Sequence, residues 1–136
     1  MIQRIQSVWL LLASACAFST FKFSYYSGTN AKGLSPYELT ATENLLLMLT
    51  TVVVGCLALF TIFLFKKRGL QLRLCVLGIF LEALLIFLYY REVKTFVHGT
   101  YSLTAILHSI IVIAFFLAAR GIHKDSKLVK NSDRLR

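Results

Sequence analysis

The second apolar stretch of the chain constrains the fold more than any other feature. Residues 44–65 contain no charged side chain over 22 positions. A helix that crosses a bilayer needs about 20 mainly apolar residues. The stretch therefore predicts a transmembrane helix, with lipid rather than water around much of the chain.

The rest of the sequence extends this prediction to the whole chain. Of its 136 residues, 57% are hydrophobic, whereas soluble domains contain about 45–50%. Further apolar stretches cover residues 5–26, 72–90 and 101–119, and the segments between them are short. Short connections favour antiparallel neighbours. We predict an all-α polytopic membrane protein, an antiparallel four-helix transmembrane bundle over residues 1–119, followed by a basic cytosolic tail over residues 120–136.

Two local signals bear on where the first two helices begin. Arg4, an apolar run and the small residues before Cys16 resemble a secretory signal, but the sequence stays apolar and aromatic after Cys16. A transmembrane helix is the favoured interpretation. Ser35, Pro36 and Glu38 have the spacing of a helical capping box. They predict that the second helix begins a turn or two before residue 44.

The positive charges are distributed unevenly between the two ends of the predicted bundle. Four lie on one side: Lys22, Lys32, Arg91 and Lys94. The other side has eleven: Arg4, Lys66, Lys67, Arg68, Arg73, Arg120, Lys124, Lys127, Lys130, Arg134 and Arg136. Cytoplasmic loops are enriched in Lys and Arg. We therefore expect both termini in the cytoplasm and the protein in the inner, or plasma, membrane.

Glu82 is the candidate for chemistry within a span, because ionisable groups there are costly and often functional. With a rise of 1.5 Å per residue, Glu82 lies about 12 Å from the outer end of its helix and His108 about 10 Å from the outer end of the next. Thr50 and Thr51 fall at a similar depth, and Lys22 lies nearby. We predict a buried polar layer in which Glu82 pairs with His108 or Lys22. The layer is either a helix contact or, less favoured, a proton or cation relay.

No other pattern points to chemistry. The cysteines Cys16, Cys56 and Cys75 lack paired spacing and resemble small buried apolar residues. The histidines fall in a loop, a span and the tail, so they do not converge on a metal. No nucleophile is arranged with a base, and no glycine-rich phosphate loop occurs. We expect a non-enzymatic protein with no catalytic residues, metal or cofactor.

Three segments carry a resemblance that spans nearly the whole chain. They are the opening residues 1–6 with Trp9 and the four residues after it, the loop residues 70–75, and the final residues 120–136. In these segments the chain resembles an uncharacterised family of small four-span inner-membrane proteins of Bacteroidota, a domain of unknown function. The resemblance implies topology and location, and no activity. Glu82 is not among the matching motifs.

The predicted function follows from the charged end of the bundle. We expect an accessory or scaffold protein whose basic cytoplasmic face, the N-terminus, loop 66–73 and the tail, binds a protein, a ribonucleoprotein or anionic lipid. Contact with nucleic acid would be indirect, and an oligomer is compatible with the sequence. The alternative is a small ion-coupled transporter or channel subunit using the Glu82 and His108 layer. A water-filled cavity reaching Glu82 would favour transport, and a dry packed layer would favour the scaffold.

Overall fold

The computed structural model describes residues 2–33 and 36–135, and within them the chain is mostly helical. The four helices in these residues are α1 (Ile2–Ser19), α2 (Leu45–Phe63), α3 (Arg68–Val93) and α4 (Ile106–Asp133). A 3-10 turn, Leu103–Ala105, leads into α4. The same described residues also form three strands: β1 (Tyr26–Asn30), β2 (Tyr37–Leu39) and β3 (Phe96–Tyr101).

The outer surface of the helices is apolar. Among the described residues three helical segments are long and apolar enough to cross a membrane: Leu45–Phe63, Arg68–Val93 and Leu103–Asp133. Large side chains such as Phe60, Phe63 and Phe80 are at least 60% exposed. A soluble protein rarely presents so continuous an apolar surface to water. These helices indicate a membrane-spanning protein.

The helices form a ring in which each packs mainly on its two neighbours, α1 on α2 and α4, and α3 on α2 and α4. Small side chains fill the centre, including Ala13, Ala58 and Ala114, all fully buried. Small residues allow helix axes to approach closely, which favours association in lipid. Between α3 and α4, Gly78 lies against the ring of Phe115 with no room for a side chain.

A three-stranded antiparallel sheet lies at one end of the bundle, in the order β2-β1-β3. The all-α prediction is wrong in this respect. Gly28 lies opposite Gly99, and a Cβ on Gly28 would come within 2.1 Å of the carbonyl oxygen of His98. The chain therefore needs glycine where β1 meets β3. The ring of Tyr26 in β1 packs edge-on against Phe96 and Tyr101 of β3, with a centroid distance of 5.0 Å to each.

The sheet also explains why α1 is shorter than the predicted span 5–26. The helix ends at Ser19, and its apolar part, Ile5–Ser19, is shorter than the other candidate spans. The next residues turn, and the backbone N–H of Tyr25 donates to the carbonyl of Leu39. Aromatic residues and glycine after residue 20 favour strand and turn over further helix.

The predicted start of the second helix is also wrong. Glu38 lies in β2 and Pro36 in a bend, while Ser35 lies outside the described residues. Asn44 is the N-cap instead, and its side-chain oxygen accepts from the N–H of Leu46 at 3.1 Å. Strand pairing with β1 displaces the capping box because it satisfies more backbone groups.

Two side-chain contacts close the loop between β2 and α2. The amide of Asn44 donates to Glu92 Oε1 at 2.9 Å, which links the start of α2 to the end of α3. The hydroxyl of Tyr37 donates to Glu43, and this bond raises the pKa of Tyr37 to about 12. The loop is therefore tied to both α2 and α3.

The close approach at Gly78 gives a test of the packing. A Cβ there would lie 2.6 Å from the buried Phe115 ring, so Gly78→Ala should lower the free energy of unfolding by about 1–3 kcal/mol. Gly69 is the matched control, because its Cβ position has open space around it: apart from its chain neighbours and its own helix backbone, no described atom lies within 4 Å. Gly69→Ala should leave stability equal or slightly higher. Unfolding in mixed micelles, followed by circular dichroism, measures both, and equal losses would contradict the packing.

Candidate functional site

Glu82 and His108 form a buried pair between α3 and α4. Both helices bury one face, and the buried residues of α3 alternate in steps of four and three, which is the spacing of a single helix face. Glu82 falls on that face, and His108 falls on the buried face of α4. The distance from Glu82 Oε1 to His108 Nδ1 is 2.6 Å, and the side chains are 1% and 4% exposed. Each group thus offers the other a polar partner inside an apolar bundle.

Aromatic rings separate the pair from the sheet end. The His108 ring centroid lies 4.9 Å from that of Tyr89 and 5.3 Å from that of Tyr25. Tyr25 and Tyr89 stack on each other at 4.4 Å. The hydroxyl of Thr104 donates to the carbonyl of Ser24, which holds the start of α4 against this turn. The sequence did not predict these aromatic contacts, because Tyr25 falls within residues 5–26, which were predicted to be one transmembrane helix.

The second carboxylate oxygen of Glu82 is buried, and within residues 2–33 and 36–135 it has no hydrogen-bond partner. A carboxyl group and an imidazole share one proton in either of two ways. Ionised Glu82 accepts a bond from the Nδ1–H of His108, whereas protonated Glu82 donates to unprotonated Nδ1. The arrangement is therefore able to hold a proton, and it also joins two helices.

The other members of the predicted polar layer lie apart from the pair. Lys22 is exposed in the turn after α1, so its inclusion in a buried layer is wrong. Thr51 is buried, but its hydroxyl donates to the carbonyl of Leu47 at 2.7 Å. The half-buried Thr50 donates to Leu46 at 2.8 Å. Such bonds within a helix satisfy a hydroxyl without joining helices.

Polar side chains also lie inside the opposite end of the bundle. Gln71 is buried, and its amide donates to the carbonyl of Thr61 at 3.2 Å, from α3 to α2. Gln6 is buried against Gly121 of α4, and its amide nitrogen has no hydrogen-bond partner among the residues described. The sequence signal for Gln71 was its position on the same helix face as Cys75 and Gly78.

The basic residues that the sequence predicts to bind a partner lie at this same end, away from the sheet. Arg68, at the start of α3, is held by α4: its Nη1 lies 3.4 Å from Asp125 Oδ2 and 3.3 Å from the Asp125 carbonyl oxygen. The side chain of Arg4, together with Arg136, lies outside the described residues. The other predicted binding residues are exposed: Lys66, Lys67, Arg73, Arg120, Lys124, Lys127, Lys130 and Arg134. We call this set, with Arg68, the basic rim.

Helix α4 gives the basic rim its shape. The helix continues without interruption from Ile106 to Asp133, through the residues predicted as a separate tail. Ile122 is its last buried residue, and most of the positions after it are exposed. The Arg68 to Asp125 ion pair fastens this projecting part to the α2–α3 connection. The rim is therefore built on two elements that are joined to each other.

Two open grooves flank the α2–α3 connection. The first, of about 530 Å³, is lined by Phe65, Lys66, Arg68, Ser126 and Val129. The second, of about 370 Å³, is lined by Phe60, Phe63, Leu64, Lys66, Lys67 and Leu70. Lys66 lines both. Neither groove reaches Glu82.

These features define a class of protein: a helical membrane-spanning protein with a buried Glu–His pair and a basic rim. In the described residues no three His, Cys, Asp or Glu side chains come together as a possible metal site. The chain belongs to the family described as a domain of unknown function, DUF4293, which matches residues 2–135. No curated protein and no solved structure matches the chain.

A double substitution tests what the Glu82–His108 pair contributes. Glu82→Met or His108→Leu alone leaves the other polar group buried without its partner, so each should cost about 3 kcal/mol of stability. The double variant replaces both with apolar side chains of similar size and should recover most of that loss. Unfolding free energies of the four proteins measure the coupling. Losses that simply add would show that the two side chains do not stabilise the fold as a pair.

Proposed function

We propose that this protein is a non-enzymatic accessory or scaffold protein of the inner membrane, with four spans and both termini in the cytoplasm. In this proposal the basic rim faces the cytoplasm and binds a negatively charged partner. The observation that carries it is the continuous helix α4, which projects basic side chains beyond its last buried residue and is fastened by the Arg68 to Asp125 ion pair.

The proposal counts α1 as the fourth span. At 1.5 Å per residue, its 18 residues extend about 27 Å, close to the roughly 30 Å of a hydrocarbon core. Its buried side, with Leu10 and Ala17, belongs to the same core as α2 and α4. Its other side exposes Ile5, Val8 and Leu11, each at least 58% exposed. Lipid contact is the natural environment for that surface.

The orientation rests on the excess of positive charge at the rim. Residues 2–33 and 36–135 contain nine Lys or Arg with exposed or half-buried side chains at the rim and four with exposed side chains at the sheet end. Basic residues near the ends of spans are retained in the cytoplasm. The sheet would then lie on the outer side of the membrane.

Cysteine labelling tests both the fourth span and the orientation. In a variant whose native cysteines are replaced by alanine, single cysteines are placed at Gln3, which precedes the apolar part of α1, or at Lys32 or Lys127. With the outer membrane permeabilised, an impermeant maleimide should label Lys32→Cys in intact cells, and label the other two only after lysis. Labelling of Gln3→Cys together with Lys32→Cys would mean that α1 does not cross.

Binding by the basic rim requires a more selective variant than removal of the tail, because a truncation would also remove Ile122 and Asp125. Lys124, Lys127 and Lys130 are exposed, so their joint replacement by glutamine should leave the fold intact. The matched control replaces Lys22, Lys32 and Lys94, three lysines at the sheet end, in the same way. Both variants lose three positive charges.

We expect the rim variant to lose its partner and the control to retain it. Each lysine near an anionic surface contributes about 1 kcal/mol, so three should lower recovery more than tenfold. The measurement is crosslinking in membranes, purification in mild detergent and quantitative mass spectrometry. If the rim and control variants retain the same proteins in the same amounts, the proposed function is lost.

A transporter or channel subunit is the second candidate, and the unpartnered Oε2 of Glu82 is the observation that favours it. The burial of Glu82 argues against it, since a conducted ion needs a path to the carboxylate. The double variant Glu82→Met/His108→Leu separates the two candidates. If the protein is a scaffold, the folded variant should still bind the partner of the rim. If the Glu82–His108 pair relays protons, the variant should lose all proton flux in proteoliposomes.

A further inference from the structure

We propose that the grooves beside the α2–α3 connection bind one anionic phospholipid, with its phosphate at Lys66 and Arg68. This inference deepens the proposed function, since it rests on the basic rim facing the cytoplasmic leaflet. The first groove combines two cationic side chains and the hydroxyl of Ser126 with the apolar surfaces of Phe65 and Val129. Its volume of about 530 Å³ lies within the range of small-molecule sites.

The position of the grooves along the bundle suits a lipid headgroup. Helix α2 is free of charge along its length and ends at Phe63, and the cationic groups begin three residues later at Lys66. The edge of the hydrocarbon layer therefore falls between them. Phosphates of the cytoplasmic leaflet lie at that depth, and a cationic groove there meets them directly.

The second groove shares Lys66 with the first. Most of its lining is apolar, including Phe60, Phe63 and Leu70, and the first two are 60% and 75% exposed. A single molecule with an anionic head and an apolar chain fits the pair of grooves. A soluble phosphate would leave the apolar lining uncovered, and a peptide would have to enter the hydrocarbon layer.

The charges favour an anionic lipid over a zwitterionic one. Lys66 and Lys67 are exposed and carry no ion pair among the described residues, whereas Arg68 is paired with Asp125. That ion pair uses Nη1 of Arg68, and a guanidinium has further N–H donors for a phosphate oxygen. A choline or ethanolamine group beside these lysines would be repelled. Phosphatidylglycerol carries no such cation.

Native mass spectrometry of the full chain in detergent tests the site, with phosphatidylglycerol and phosphatidylcholine of identical acyl chains as probes. One bound phosphatidylglycerol should predominate, and phosphatidylcholine should bind at least fivefold more weakly. Lys66→Gln should weaken phosphatidylglycerol binding about fivefold, the effect of one basic group near an anionic headgroup. Ser126→Leu, which fills the first groove from an exposed position, should weaken it similarly.

Lys124→Gln is the matched control, because Lys124 is an exposed rim lysine that does not line either groove. It should change binding less than twofold. If Lys66→Gln and Lys124→Gln weaken phosphatidylglycerol binding equally, the lipid is attracted to the rim as a whole and not to a site in the grooves. That result would overturn this inference but leave the proposed function standing. Equal binding of the two lipids would also overturn it, as would displacement of phosphatidylglycerol by an equal concentration of inorganic phosphate. Failure of the proposed function is recognised separately, through the triple lysine variants.

Discussion

An apolar exterior imposes the constraint on which the rest of this fold depends: each polar group among the helices must find its partner inside the protein. The helical backbone meets that requirement by itself. The hydroxyls of Thr50 and Thr51 meet it by bonding to carbonyls of their own helix. Glu82 has no such local solution, so it reaches across to His108 and thereby fixes α3 against α4. Backbone that is not helical is confined to the ends, where the sheet pairs its own N–H and C=O groups.

The sequence predicted the structure best inside the bundle, where the apolar exterior restricts the residue types most. Long apolar runs identified α2, α3 and α4, and the rise per residue placed Glu82 level with His108. The ends of these helices were predicted less well, since α3 extends past the predicted 72–90 and α4 continues to Asp133. The sheet was missed because its strands are three to six residues long and pair across distant parts of the chain. The capping box that begins at residue 35 is a local signal for a helix start. The non-local pairing of β1 with β2 places Glu38 in a strand instead.

The two ends of the bundle are built on different principles. At the sheet end, the stacked aromatic rings of Tyr25 and Tyr89 pack against His108 of the buried pair. At the rim end, Gln6 and Gln71 are buried close to the exposed charges. The ion pair between Arg68 and Asp125 joins the two elements that carry the rim, the start of α3 and the last part of α4. A chain of this size thus separates a tightly closed end from a charged and open one.

The ring arrangement of the helices has a consequence for how the chain is made. Helix α1 leaves the ribosome first, yet one of its two main neighbours, α4, is synthesised last, and β1 must wait for β3, which follows α3. Long-range pairing of this kind closes only after the intervening chain is in place. Until then the first helix has only α2 to pack against, and the glycines Gly28 and Gly99 remain apart. The sheet is therefore able to form once β3 has been made, and the ring of helices closes only later, when α4 packs on α1.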